Sequence, residues 1–99
     1  MSEDGAAAAE TFLARVIVTP KPVVNDPQGL TVKHGLRSLG FDDVADVRVG
    51  KYIEIRLHGS VRRVEDQVDA MCRRLLANGV IENYRFDVER VETAAEMTT

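Results

Sequence analysis

Between Asp46 and Leu57 the chain alternates apolar and polar residues with period two, which restricts this stretch to β-structure. Successive side chains of a strand point to opposite faces, so Val47, Val49, Ile53, Ile55 and Leu57 share one face. A turn at Gly50-Lys51 would put Val47 opposite Glu54. Treating Gly50, Lys51 and Tyr52 as the loop instead puts Val49 opposite Ile53, Val47 opposite Ile55, Arg48 opposite Glu54 and Asp46 opposite Arg56. The second register matches apolar with apolar and charge with charge. It is the expected one: a hairpin with one dry face and one charged face.

Ala14–Thr19 forms the first expected strand, ended by Pro20 and Pro22 because proline donates nothing to a ladder. Asp26-Pro27 opens a helix, with Asp26 as cap and Pro27 at the first helical position. Val32, Leu36 and Leu39 form its expected buried stripe, and Gly40 ends it. Gly29 and Gly35 are poor helix formers and indicate close backbone approach, to the sheet or to a partner. A second helix follows Ser60, with its apolar stripe on Val61, Val64, Val68, Met71 and Leu75 beside Cys72 and Leu76, and Asn78-Gly79 closes it. The last strand, about Asn83–Glu89, turns Tyr84, Phe86 and Val88 one way and Arg85, Asp87 and Glu89 the other.

The order β-α-β-β-α-β predicts an α+β, ferredoxin-like domain: a four-stranded antiparallel sheet with two helices on one face. Residues 14–91 make the domain, between flexible tails at 1–13 and 92–99. The second sheet face carries Arg15, Ile17, Arg48, Tyr52, Glu54, Arg56, Arg85 and Asp87, a mixture that suits a protein partner better than water. A chain of 99 residues buries only about 60–70% of the surface it exposes when unfolded, so association adds core and the domain is expected to dimerise. The net charge of −3 argues against nonspecific nucleic-acid binding. No apolar run reaches the roughly 18 residues of a membrane helix, and a single cysteine cannot form an internal disulfide. The acidic start, Met1-Ser2-Glu3-Asp4-Gly5, is unlike a secretory signal, and a cytoplasmic location is expected.

No catalytic set emerges. Gly50-Lys51 lacks the other residues of a phosphate-binding loop. His34 reads as helix surface, His58 as loop, and neither has neighbours at zinc-ligand spacing. Cys72 reads as a small core residue, and Asp42-Asp43 as a solvated turn. Lys51 and Tyr52 are either a solvated turn or a contact with another subunit, as are Lys21, Arg48, Asn83, Tyr84 and Arg85. No catalytic, cofactor or metal residue is assigned.

Three stretches carry a family resemblance: Asp26-Pro27-Gln28-Gly29, Val44 to Glu54, and Leu75 to Arg85. In order and spacing they resemble the signatures of the PurS family, the small subunit of bacterial phosphoribosylformylglycinamidine (FGAM) synthase, over Ala14 to Arg90. The resemblance implies a non-catalytic subunit in de novo purine biosynthesis. It would bridge a PurQ-like glutaminase and a PurL-like synthetase that converts formylglycinamide ribonucleotide, glutamine and ATP to formylglycinamidine ribonucleotide. It also implies a homodimer or higher oligomer; from charge and hydropathy, no nucleic-acid or membrane partner is expected. ATP and Mg would be used by the complex, with no cofactor on this chain and no activity from it alone. Two other functions suit the same plan: an ACT-like small-molecule sensor and an RNA-recognition module.

Overall fold

The computed structural model describes residues 10–91. Along the chain run strand β1 (Glu10–Pro20), helix α1 (Pro27–Ser38), strand β2 (Lys51–Gly59), helix α2 (Val64–Met71) with a π-helical turn at Cys72–Leu76, and strand β3 (Glu82–Val91). The architecture is α+β, an antiparallel sheet with two helices. Among the described residues the sheet has three strands rather than the expected four, in the order β2-β1-β3. β1 begins at Glu10, so Glu10–Leu13 are strand and not tail; the rest of both expected tails lies outside the described residues.

The central strand explains the order. Val16 lies opposite Ile53 and Phe86, and Ala14 opposite Ile55 and Val88, so β1 gives both neighbours an apolar partner at each inward position. Its inward residues Phe12, Ala14, Val16 and Val18 are buried beneath Val64, Val68 and Cys72 of α2 and its π-turn. Each fully buried valine contributes roughly 1.5–3 kcal/mol, more than the 0–1 kcal/mol typical of an exposed ion pair. Packing of β1 against α2 therefore holds the fold, and the charged residues outside it contribute little.

The expected hairpin is absent. Lys51 and Tyr52, read as its loop, pair with Val18 and Ile17, and the chain enters β2 from Val44–Gly50 without turning back. Two anchors divert that segment. The Val49 amide donates to the Asp26 carboxylate at 2.9 Å, and the Arg48 guanidinium donates to the carbonyls of Pro20, Lys21 and Val24. Arg48 therefore braces the loop after β1 and does not join the open sheet face.

Helix α1 starts as expected: the Asp26 carboxylate accepts the Gly29 amide at 3.0 Å with Pro27 following it. Its end is a Schellman turn, in which Phe41 donates to Leu36, Gly40 donates to Arg37, and Gly40 takes φ +100°. Its stripe, however, is not buried. Val32 is 43% and Leu39 75% exposed, and no residue of α1 packs against the core, so one helix, not two, covers the sheet. The stripe of α2 also differs from expectation. The helix begins at Val64, and Val61 and Leu75 are exposed while Val64, Val68 and Cys72 are buried. The π-turn accounts for the end of this stripe: the Ala77 amide donates to the Cys72 carbonyl, and the wider turn brings Leu76 and Ala77 to the core in place of Leu75.

Two glycines are dictated by contact. A Cβ on Gly29 would lie 2.2 Å from the Val47 carbonyl, and one on Gly50 2.3 Å from that of Val18. Gly29→Ala is expected to lose about 1–3 kcal/mol in urea unfolding, although alanine favours a helix by about 1 kcal/mol. Gly79→Ala, with open space around it, should stay within about 0.5 kcal/mol of the parent.

Candidate subunit interface

The cross-strand register assembles the open sheet face. Arg15 lies between Glu54 and Asp87, Ile17 between Tyr52 and Arg85, and Leu13 between Arg56 and Glu89. Arg15 donates to Asp87 at 3.1 Å and to Glu89 at 2.5 Å, and both bonds hold its guanidinium further into the charged form. Tyr52, 55% exposed, donates to Glu54 at 2.7 Å, which pushes its phenol above the ordinary value. The result is a sheet face of alternating charge, with half-buried Leu13, Arg15 and Ile17 along its middle.

A second group forms where β1 ends and β2 and β3 begin. Lys21 donates to the Asn83 carboxamide at 2.9 Å, Lys51 stands 3.9 Å from Glu82, and Arg48 closes over the Lys21 carbonyl at 2.6 Å. Of the residues expected at an interface, Lys21, Arg48, Lys51 and Asn83 thus gather at this end, and Tyr52 and Arg85 lie on the open face. Tyr84 belongs to neither. It is on the helix side, stacked near Phe86 with ring centroids 6.5 Å apart, and its hydroxyl donates to Asp69 of α2 at 2.5 Å.

That last contact is a tie between α2 and β3. Asp69 also accepts from Arg73 at 2.8 Å; the Tyr84 bond first, then Arg73, holds Asp69 below the usual carboxylate range. The Tyr84 phenol is pushed up in turn. Cys72 is buried and its thiol is pushed up by desolvation, which opposes thiolate chemistry. His58 shares a 3.1 Å hydrogen bond with Thr11 and His34 is exposed on α1. Among the described residues no three His, Cys, Asp or Glu side chains gather to hold a metal ion. What the open face offers is ordered charge and half-buried apolar area.

Sequence reasoning undervalued Asp26. It reads as a helix cap, yet its second oxygen holds the Val49 amide, and these two backbone bonds, Gly29 before Val49, keep its carboxyl below the usual range. The signal was present in Asp26-Pro27-Gln28-Gly29, but the partner is more than twenty residues away.

The family model described as PurS, phosphoribosylformylglycinamidine (FGAM) synthase, matches residues 13–90. The chain belongs to the PurS family. The PurS subunit of Synechocystis sp. is 45% identical over 87 residues, 87% of each chain. That of Bacillus subtilis is 46% identical over 80 residues, 81% of this chain and 95% of the relative. Among solved structures, B. subtilis PurS superposes with a TM-score of 0.72, covering 79% of this chain and 98% of that one at 46% identity. A chain of the PurLQS structure from Thermotoga maritima gives 0.69 at 28% identity, covering 82% and 98%. The Asp26 and Gly29 contacts described above thus lie inside the PurS-matched region.

The depressed carboxyls of Asp26 and Asp69 make stability depend on acid in a definite direction. An unfolded chain binds their protons more readily than the folded one, so their stabilisation is complete above the ordinary carboxylate value of about 4 and is lost as pH falls through the lower folded values. The urea midpoint should therefore fall below about pH 4. Asp26→Asn should lower the midpoint at neutral pH and make the acid decline shallower.

Proposed function

We propose that this chain is the PurS subunit of FGAM synthase in purine biosynthesis, and that it acts as a bridge between a PurL-like synthetase and a PurQ-like glutaminase. The observation that carries this reading is family membership over residues 13–90, supported by the match to a chain of a PurLQS structure. The physical role follows from the chemistry of the shared intermediate. Ammonia released into water is diluted and mostly protonated, and ammonium is no nucleophile. A scaffold that aligns the glutaminase and synthetase sites keeps ammonia at high effective concentration.

The reading assigns ATP and Mg to the complex and none to this chain. It takes the chain as a homodimer, with Tyr52 and Arg85 on one contact surface and Lys21, Arg48, Lys51 and Asn83 on another. It places the complex in the cytoplasm; no helix among the described residues is long and apolar enough to cross a membrane. The sensor and RNA-binding alternatives are not favoured. Tyr52 is the lone aromatic of the open face, and Arg15 there is already engaged by Asp87 and Glu89.

Reconstitution tests the bridge. Added to both partners, the chain should raise glutamine-dependent FGAM formation strongly and ammonium-driven formation far less. It should show neither activity alone. Equal stimulation of both would contradict bridging.

A further inference from the structure

The loop that leads into β3 is tightly organised for an exposed segment, and Asn78 is the reason. Its amide donates to the Glu82 carboxylate at 2.8 Å, and its side-chain oxygen accepts the Val80 amide at 3.0 Å. Its carbonyl accepts the Ile81 amide at 3.0 Å and the Glu82 amide at 2.7 Å. The Lys21 amide donates to the Ile81 carbonyl at 2.9 Å and the Lys21 ammonium to Asn83, which joins this loop to the one leaving β1. That second loop is fixed in turn: the Val24 amide donates to the Lys21 carbonyl, and Arg48 donates to the carbonyls of Pro20, Lys21 and Val24. With the Asp26–Val49 bond, these contacts make α1 and Val44–Gly50 a braced arm beside the same end of the sheet.

What the two loops hold outward is apolar. Val80 is 81% and Val23 92% exposed, one residue and two residues from the Lys21–Ile81 bond. Leu75, turned out by the π-turn, precedes the loop at 83%. Single exposed aliphatics are ordinary on a protein surface. Three at one end, two of them on braced loops, form a patch that suits an interface. Order already present before association is not lost again on binding, so these side chains are offered at low entropic cost.

Charge selects the occupant. Lys21, Arg48 and Lys51 gather at this end. The acids beside them are committed: Glu82 to the Asn78 amide with Lys51 3.9 Å away, and Asp26 to the amides of Gly29 and Val49. Among the described residues neither Lys21 nor Arg48 forms an ion pair. A chain of net charge −3 therefore has a basic end, which attracts an acidic surface and repels a second copy presenting the same end.

We propose that the Val23–Val80 end is a docking knob for a different polypeptide, a subunit of the synthase complex that presents an apolar pocket bordered by carboxylates. This rests on the bridge reading above and names one contact of it.

The test is binding of the full-length chain to the PurL-like synthetase and the PurQ-like glutaminase, singly and together, with glutamine, ATP and Mg present. Fluorescence anisotropy of the labelled chain at two salt concentrations reads the affinity. Val80→Asp should weaken binding by about tenfold or more. Lys21→Gln with Lys51→Gln should weaken it by about threefold to tenfold and reduce its salt dependence. Val61→Asp, on an exposed residue at the opposite end of the sheet, should bind as the parent does. All three should keep the parent's circular dichroism and self-association. Val80→Asp binding as tightly as the parent, Val61→Asp losing as much, or Val80→Asp loosening self-association instead would each overturn the knob. A parent chain that binds neither subunit would overturn it too. Should bridging alone fail, these variant effects on binding would stand while glutamine-dependent FGAM formation went unstimulated, so the two failures are distinct.

Discussion

The carboxylate of Asp26 fixes two parts of the chain at once. One oxygen accepts the Gly29 amide and starts α1; the other accepts the Val49 amide and holds the approach to β2. Because both acceptors sit on one side chain, the helix and the extended segment cannot move independently. Gly29 permits that approach, since any Cβ there would collide with the Val47 carbonyl. The direction of the whole arm follows from this junction.

Once the arm is fixed outward, the sheet is left with two surfaces that its own chain does not complete. The helix layer holds one helix where the apolar side chains of three strands offer room for more. The opposite face carries an ordered charge ladder centred on Arg15 with Tyr52 at its edge. Exposed ion pairs of this kind contribute little to folding but set register and orientation when two surfaces meet. A protein built this way, without an assembled set of reactive groups among the described residues, suits a subunit whose work is to position others.

The sequence made some of this plain and concealed the rest for identifiable reasons. Strand and helix positions were legible because period-two and helical repeats are local: β3 turns Tyr84, Phe86 and Val88 inward as expected, and Asp26 and Gly40 bound α1 as expected. The hairpin was not legible. Val47 and Val49 alternate as a strand should, but their pairing was decided by Asp26 and Arg48, whose partners are distant in sequence. The stripe of α1 was read correctly as apolar and wrongly as buried, because periodicity reports which side is dry and not which chain dries it. The π-turn at Cys72–Leu76 likewise shifts Leu75 outward without any compositional mark. The candidate contact residues were legible only as types, and the fold separated Tyr84 from the others by placing it under α2.

The homodimer proposed above would cover surfaces that the braced arm leaves open. Thermal unfolding followed over about a hundredfold range of protein concentration tests this most directly, because association that stabilises only the folded chain makes the midpoint depend on concentration. A midpoint that climbs steadily as the protein is concentrated is expected. A midpoint that stays constant across the range would contradict the homodimer.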